Sequence, residues 1–137
     1  MNGSRDLRRT LKDVFATQRF CVLATQGQGQ PYGSLVAFAE TGDLRQLVFA
    51  TNRDTRKFSN LILEPRVALL IDSRSNSDSD LRNAVAITAL GLAHEAGGDE
   101  RERLAGVYLA RHPGLAGFVG SPETAVCVVA VEDYVVA

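Results

Sequence analysis

LVFATNRDTRKFSNLILEPRVALLI, residues 47–71, is the stretch whose reading decides the fold. A short apolar strand, Leu47 to Thr51, empties into Asn52-Arg53-Asp54-Thr55-Arg56-Lys57. A helical pattern then runs from Thr55 to Leu63, Pro65 bars its continuation, and Arg66 to Asp72 reads as a second strand. Backbone N–H groups at a helix start carry partial positive charge, and Arg53, Arg56 and Lys57 add full charges within a turn of it. That order suits the gripping of a phosphate. Asn52, Asp54 or Thr55 serves as the helix cap, and Arg53 either joins the cationic cluster or faces solvent.

The succession of strand, Ala50-Thr51-Asn52, three further residues, Arg56-Lys57, amphipathic helix, Glu64-Pro65-Arg66 and Val67-Ala68-Leu69-Leu70-Ile71 resembles the flavin mononucleotide (FMN) binding segment of the pyridoxamine 5'-phosphate oxidase-like split-barrel family. RFCVLATQGQGQPYGSLVAFA, residues 19–39, is similar to that family's opening hairpin, and the likeness runs over roughly residues 5–136. The resemblance implies that Thr51, Arg56 and Lys57 lie against the FMN phosphate and ribityl chain, with Ala50 and Asn52 beside them. It implies that Ser34, Leu35, Val36 and Ala37 border the flavin ring, mostly through backbone groups, although the same four residues suit plain barrel core. It also implies a homodimer with FMN in two clefts between subunits.

Departures narrow the expected activity. Family members that oxidise the vitamin B6 phosphate carry an arginine and a lysine on the second strand, where this chain has Ser34 and Ala39, and a C-terminal Arg-Xaa-Trp-type segment, whereas this chain has no tryptophan. The expectation is a small FMN-binding oxidoreductase of unassigned substrate, with a non-enzymatic flavin-binding or electron-transfer protein as the alternative. A haem-binding branch is also similar through PYGSLVAFA, TRKFSNL and Arg111-His112-Pro113. Its histidine near the start of the middle helix is replaced here by Lys57, a poor haem ligand and a good phosphate partner. FMN is therefore the expected cofactor, with the deazaflavin F420 or haem as alternatives.

Composition bounds the rest. A chain of 137 residues suits a single domain, residues 1–137, and buries roughly 65–70% of its unfolded surface, enough for a core without staples. With 15 basic and 16 acidic residues the net charge is −1, which argues against nucleic acid as a partner and makes any anion site a local cluster. No apolar run reaches the ~18 residues that span a bilayer, and MNGSRDLRRT has no signal-peptide core, so a cytoplasmic location is expected. Cys21 and Cys127 read as core thiols. His94 reads as solvated or hydrogen-bonded, and His112 as complementing a helix C-terminus; no metal site and no catalytic residue follow from them.

Along the chain, Ser4 caps a first helix with Leu7, Leu11, Val14 and Phe15 at helical spacing. Phe20–Thr25, Gly33–Glu40, Leu47–Thr51, Arg66–Asp72, Ala84–Glu95 and Thr124–Val136 read as strands, the fourth apolar enough to imply cover on both faces. Gly27–Pro31 forms a turn, Gly91 a bulge, and Ser73–Asn83 a mobile polar loop. Asp99 and Glu102 form a capping box for a helix ending by Pro113. The architecture expected is mainly β with inserted helices, a six-stranded antiparallel split β-barrel of FMN-binding type. Cys127, Val129 and Val131 on one side of the last strand, and Val126, Val128 and Ala130 on the other, leave two apolar faces that a lone chain struggles to cover.

Overall fold

A computed structural model describes residues 3–137, with side chains from Asp6 onward. The elements are α1 (Gly3–Thr17), β1 (Phe20–Gly27), β2 (Gln30–Glu40), β3 (Gln46–Asn52), α2 (Arg56–Leu63), β4 (Arg66–Asp72), α3 (Asp80–Asn83), β5 (Ala86–Glu95), α4 (Gly98–Arg111), a 3-10 turn (Pro113–Leu115), α5 (Ala116–Val119) and β6 (Thr124–Val136). The strands close into one antiparallel barrel in the order β1-β2-β3-β6-β5-β4, which leaves no sheet edge open. The split-barrel architecture read from the sequence is present.

Two local devices set the barrel's register. Between β1 and β2 the turn is two residues long, with φ of 53° at Gln28 and 80° at Gly29, the type I′ geometry whose twist matches paired strands. At Gly91 the β5–β6 register shifts, and a Cβ there would stand 2.2 Å from the Ala130 carbonyl oxygen. The bulge therefore requires glycine.

Inward-facing residues of alternate strand positions fill the barrel. Leu23, Phe38, Phe49, Leu69 and Ile87 are all fully buried, each contributing about 1.5–3 kcal/mol by leaving water. Near the β2–β3 turn, α1 adds Leu11, Val14 and Phe15, the last packed edge-on against Phe38 at 5.7 Å. At the opposite end α2 adds Leu61 and Phe58, and a Cβ on Gly27 would stand 2.5 Å from Asn60 Oδ1, so helix and hairpin meet closely. Cys21 and Cys127 lie in this interior as free thiols, and burial pushes each up to about 12.

A second apolar cluster lies outside the barrel, where α4 sets Leu104 and Tyr108 over Ala39, Val48, Val126 and Val128. On the second face of β6, Val126 and Val128 are thus covered within the same chain, while Ala130 stays exposed. Arg101 fastens this layer, donating to the Thr124 and Val119 carbonyls at 3.0 Å each. Arg111 fastens α1: it pairs with Glu40 at 3.1 Å, donates to the Phe15 and Gln18 carbonyls and lies over the Phe38 ring.

Other expectations need correction. The N-cap of α4 is Gly97, with no side-chain capping bond, because positive φ at Gly98 turns the chain directly into the helix; Asp99 and Glu100 instead sit in the first turn, where they complement its dipole. On β4 only Val67, Leu69 and Ile71 are buried, while Ala68 and Leu70 are half-buried. Residues 73–83 are the exposed polar loop read from the sequence, with one addition: the Asp80 carboxylate accepts from the Ser75, Asn76 and Ser77 amides, and the short α3 follows. Helix α1 begins at Gly3, and the cap expected of Ser4 involves a side chain outside the described residues.

Candidate functional site

The turn between β3 and α2 is built by its own side chains. Asn52 Oδ1 accepts the Asp54 amide at 2.7 Å, and Thr55 caps α2 by accepting from Phe58 N–H at 3.3 Å. The Thr55 hydroxyl donates to the Asn52 carbonyl at 2.9 Å, and the Thr51 hydroxyl reaches the same carbonyl at 3.2 Å. Of the sequence's three capping candidates, Thr55 is the cap and Asn52 shapes the turn that precedes it. With Phe58 N–H on Thr55 and Ser59 N–H on the Thr55 carbonyl, the Arg56 and Lys57 amides have no protein acceptor among the described residues.

This turn forms one wall of an open cleft of about 390 Å³, within the roughly 300–1,000 Å³ typical of small-molecule sites. Leu35, Val36 and Ala37 of β2 and Ala50, Thr51 and Asn52 at the end of β3 contribute to the lining, and Lys57 stands at the helix end. The opposite wall comes from Tyr108, Leu115 and Phe118, and Phe20 borders the cleft from β1. Seven of the nine residues singled out from the sequence therefore border one space.

The other two do not. Ser34 alternates with Leu35 along β2 and does not border the cleft; its hydroxyl is buried with no hydrogen-bond partner among the described residues. Arg56 lies beside a different cleft, of about 470 Å³, with its guanidinium 4.9 Å from the centre of the Tyr32 ring. Neither Arg56 nor Lys57 has a carboxylate partner among the described residues. Arg53, by contrast, is taken: it forms a two-pronged pair with Glu95, at 2.5 Å from NH2 and 3.2 Å from Nε, and donates to the Pro122 carbonyl at 2.8 Å.

Neither histidine reaches the cleft. His94 is exposed and bonded to Glu100 at 2.9 Å. His112 is buried, and since a carbonyl only accepts, its Nε2–H donates to Phe38 O at 2.6 Å. Tyr108 is the one titratable group in the far wall, and burial pushes its hydroxyl up to about 12, so it stands as a neutral phenol.

Sequence reading did not assign Phe20, Thr55, Leu115 or Phe118 to the site. The short helical turns after Pro113 carry no long apolar period, and only the chain reversal at His112-Pro113 signals that they fold back against α4 and β6.

Comparison with known proteins agrees with this architecture. The structure superposes on a heme binding protein from Mycobacterium smegmatis with a TM-score of 0.81, at 22% identity over 90% of this chain and 50% of that one. It superposes on a protein of unknown function from Agrobacterium tumefaciens with a TM-score of 0.84, at 22% identity over 96% of this chain and 56% of that one. A FAD-binding protein from Mesorhizobium loti matches with a TM-score of 0.75, at 15% identity over 94% of this chain and 90% of that one. The chain spans about half the length of the first two. Identities this low speak for the fold alone. No functionally curated protein matches the sequence significantly. The sequence model described as pyridoxamine 5'-phosphate oxidase matches residues 7–134, and the chain belongs to that family of split-barrel proteins.

Proposed function

We propose that the chain is an FMN-binding, oxidoreductase-like protein acting on a small molecule, with the flavin held where two copies of the chain meet. The observation that carries this reading is the unpaired Lys57 ammonium beside the open amides at the start of α2, at one end of a cleft walled by β-strand backbone and apolar side chains. A doubly charged phosphate matches that end, and a flat apolar ring matches the other.

The donor set fits the group. Lys57 and the Arg56 and Lys57 amides would hold the phosphate, while the Asn52 amide nitrogen, with its oxygen committed to Asp54, is placed for the ribityl hydroxyls. Thr51 acts less directly, because its hydroxyl is buried and bonded within the turn; it holds the turn that presents these donors. Leu35 to Ala37 would supply the floor under the ring, with Tyr108 and Phe118 excluding water on the far side. When bound, FMN supplies transfer of a hydride or of electrons at its ring. Phe20 is 57% exposed and Leu35 70% exposed beside the cleft, an apolar rim that a second copy would cover while completing the ring's enclosure.

Haem suits the cleft less well. No histidine, cysteine or methionine borders it among the described residues, and the remaining oxygen ligand, Tyr108, is neutral. Titration with FMN, riboflavin, F420 and haemin, followed by visible absorption, separates the possibilities. FMN is expected to bind at least tenfold tighter than riboflavin, with Lys57→Ala removing that difference while the urea midpoint stays put. Equal binding of FMN and riboflavin, or preference for haemin, would overturn the reading. Turnover with a reduced nicotinamide then separates an enzyme from an electron carrier.

A further inference from the structure

Arg56 and Lys57 are neighbours in sequence but serve different spaces. A helix turns about 100° per residue, so adjacent side chains on α2 cannot share a face. Lys57 borders the flavin cleft, whereas Arg56 lies with Ser59, Leu63 and Glu64 along the flank of α2 that faces the β1–β2 turn. Gln28 of that turn closes the second cleft, which at about 470 Å³ is the larger of the two. The start of α2 is the ridge between them.

The lining of the second cleft is graded in chemistry. At the end next to the phosphate site, the Arg56 guanidinium has no carboxylate partner and rests over Tyr32. Ser59 and Gln28 offer neutral donors and acceptors farther along. Leu63 is 80% exposed, an apolar surface left in water, and Glu64 stands at the far end of α2. Arg56 to Glu64 spans about 12 Å of helix at the α-helical rise.

We propose that this second cleft is a subsite for the adenylate half of a flavin dinucleotide. The inference rests on the flavin reading of the first cleft and changes which flavin is preferred. The inner phosphate sits at Lys57 and the α2 amides, and the outer phosphate crosses the ridge to the two-pronged donor of Arg56. The ribose hydroxyls donate to Glu64, whose charge would repel a third phosphate but accepts well from a diol. The adenine covers Leu63. No bond is made or broken; the subsite contributes affinity and selection only.

Calorimetric titration of the full chain with FAD, FMN and riboflavin tests this. FAD is expected to bind at least tenfold tighter than FMN. Ser59→Trp, which fills the second cleft from an exposed position, is expected to bring FAD to within about twofold of FMN while leaving FMN affinity unchanged, and Arg56→Ala is expected to weaken FAD at least fivefold more than it weakens FMN. Lys57→Ala weakens both nucleotides together. If FMN binds and FAD binds no tighter, or if Arg56→Ala and Ser59→Trp weaken FMN as much as FAD, the subsite is overturned and the flavin reading stands. If none of the three binds, both readings fall.

Discussion

The barrel has two outer faces of nearly equal apolar character and opposite fates. Over β3 and β6, Val48, Val126 and Val128 vanish beneath Leu104 and Tyr108 of α4, all 0–1% exposed. Across β1 and β2, Phe20 and Leu35 stand 57% and 70% exposed at the rim of the cleft. The covered face is finished within the chain, and its residues work for stability. The bare face lies beside the cleft, and its residues are available for association and for ligand.

The contrast breaks if the two faces respond alike to truncation. Leu104→Ala, which empties a fully buried site, is expected to lower unfolding free energy by about 2–5 kcal/mol in urea titration. Leu35→Ala should change it by no more than about 0.5 kcal/mol at protein concentrations low enough to suppress association. A large loss at Leu35 under those conditions would mean that the bare face is structural. Sharper still is Leu35→Asp paired with Phe20→Asp: the double variant is expected to run at half the mass of the wild type in light scattering and to bind FMN more weakly, since both side chains rim the cleft. Wild type running as a monomer would remove the second copy from the proposed site.

The smallest effect is expected away from both faces, at the Asp80 turn. The Ser75 amide first, then its hydroxyl and the Asn76 and Ser77 amides, hold the Asp80 carboxyl below its ordinary value. A depressed carboxyl contributes order that is present above the unfolded pKa, about 3.9, and is lost as pH falls through the lower folded value. The amide resonances of Ser75 to Ser77 should therefore shift below about pH 4, and Asp80→Asn should abolish that titration with little change in the urea midpoint. Retention of the titration in Asp80→Asn would assign it to another group.

Local chemistry was legible in the sequence and distant pairing was not. The boundaries of β4 and β6 and the bulge at Gly91 follow from Pro65, from apolar runs and from a lone glycine in a strand, all within a few residues. The Arg53–Glu95 pair joins residues 42 apart, and nothing near Arg53 announces it. Adjacent Arg56 and Lys57 read as one basic pair because linear order hides the rotation of the helix. The cover over Val126 and Val128 of β6 was hidden for a related reason: it is a helix whose docking depends on Leu104 and Tyr108 being brought over them. The cleft's near wall was visible because strand and turn are contiguous; its far wall, Leu115 and Phe118, is some sixty residues downstream of Thr51 and arrives only through α4.

The clasp at Arg111 carries a consequence for synthesis. Its guanidinium holds the carbonyls of Phe15 and Gln18, the latter 93 positions earlier in the chain. A ribosome adding ~5–20 residues per second needs about 5–20 s to cover that distance. For that interval Leu11, Val14 and Phe15 have neither their barrel nor their clasp. The nascent chain therefore passes through a window of stickiness, in which the apolar face of the first helix is left for a chaperone or the ribosome surface to shield.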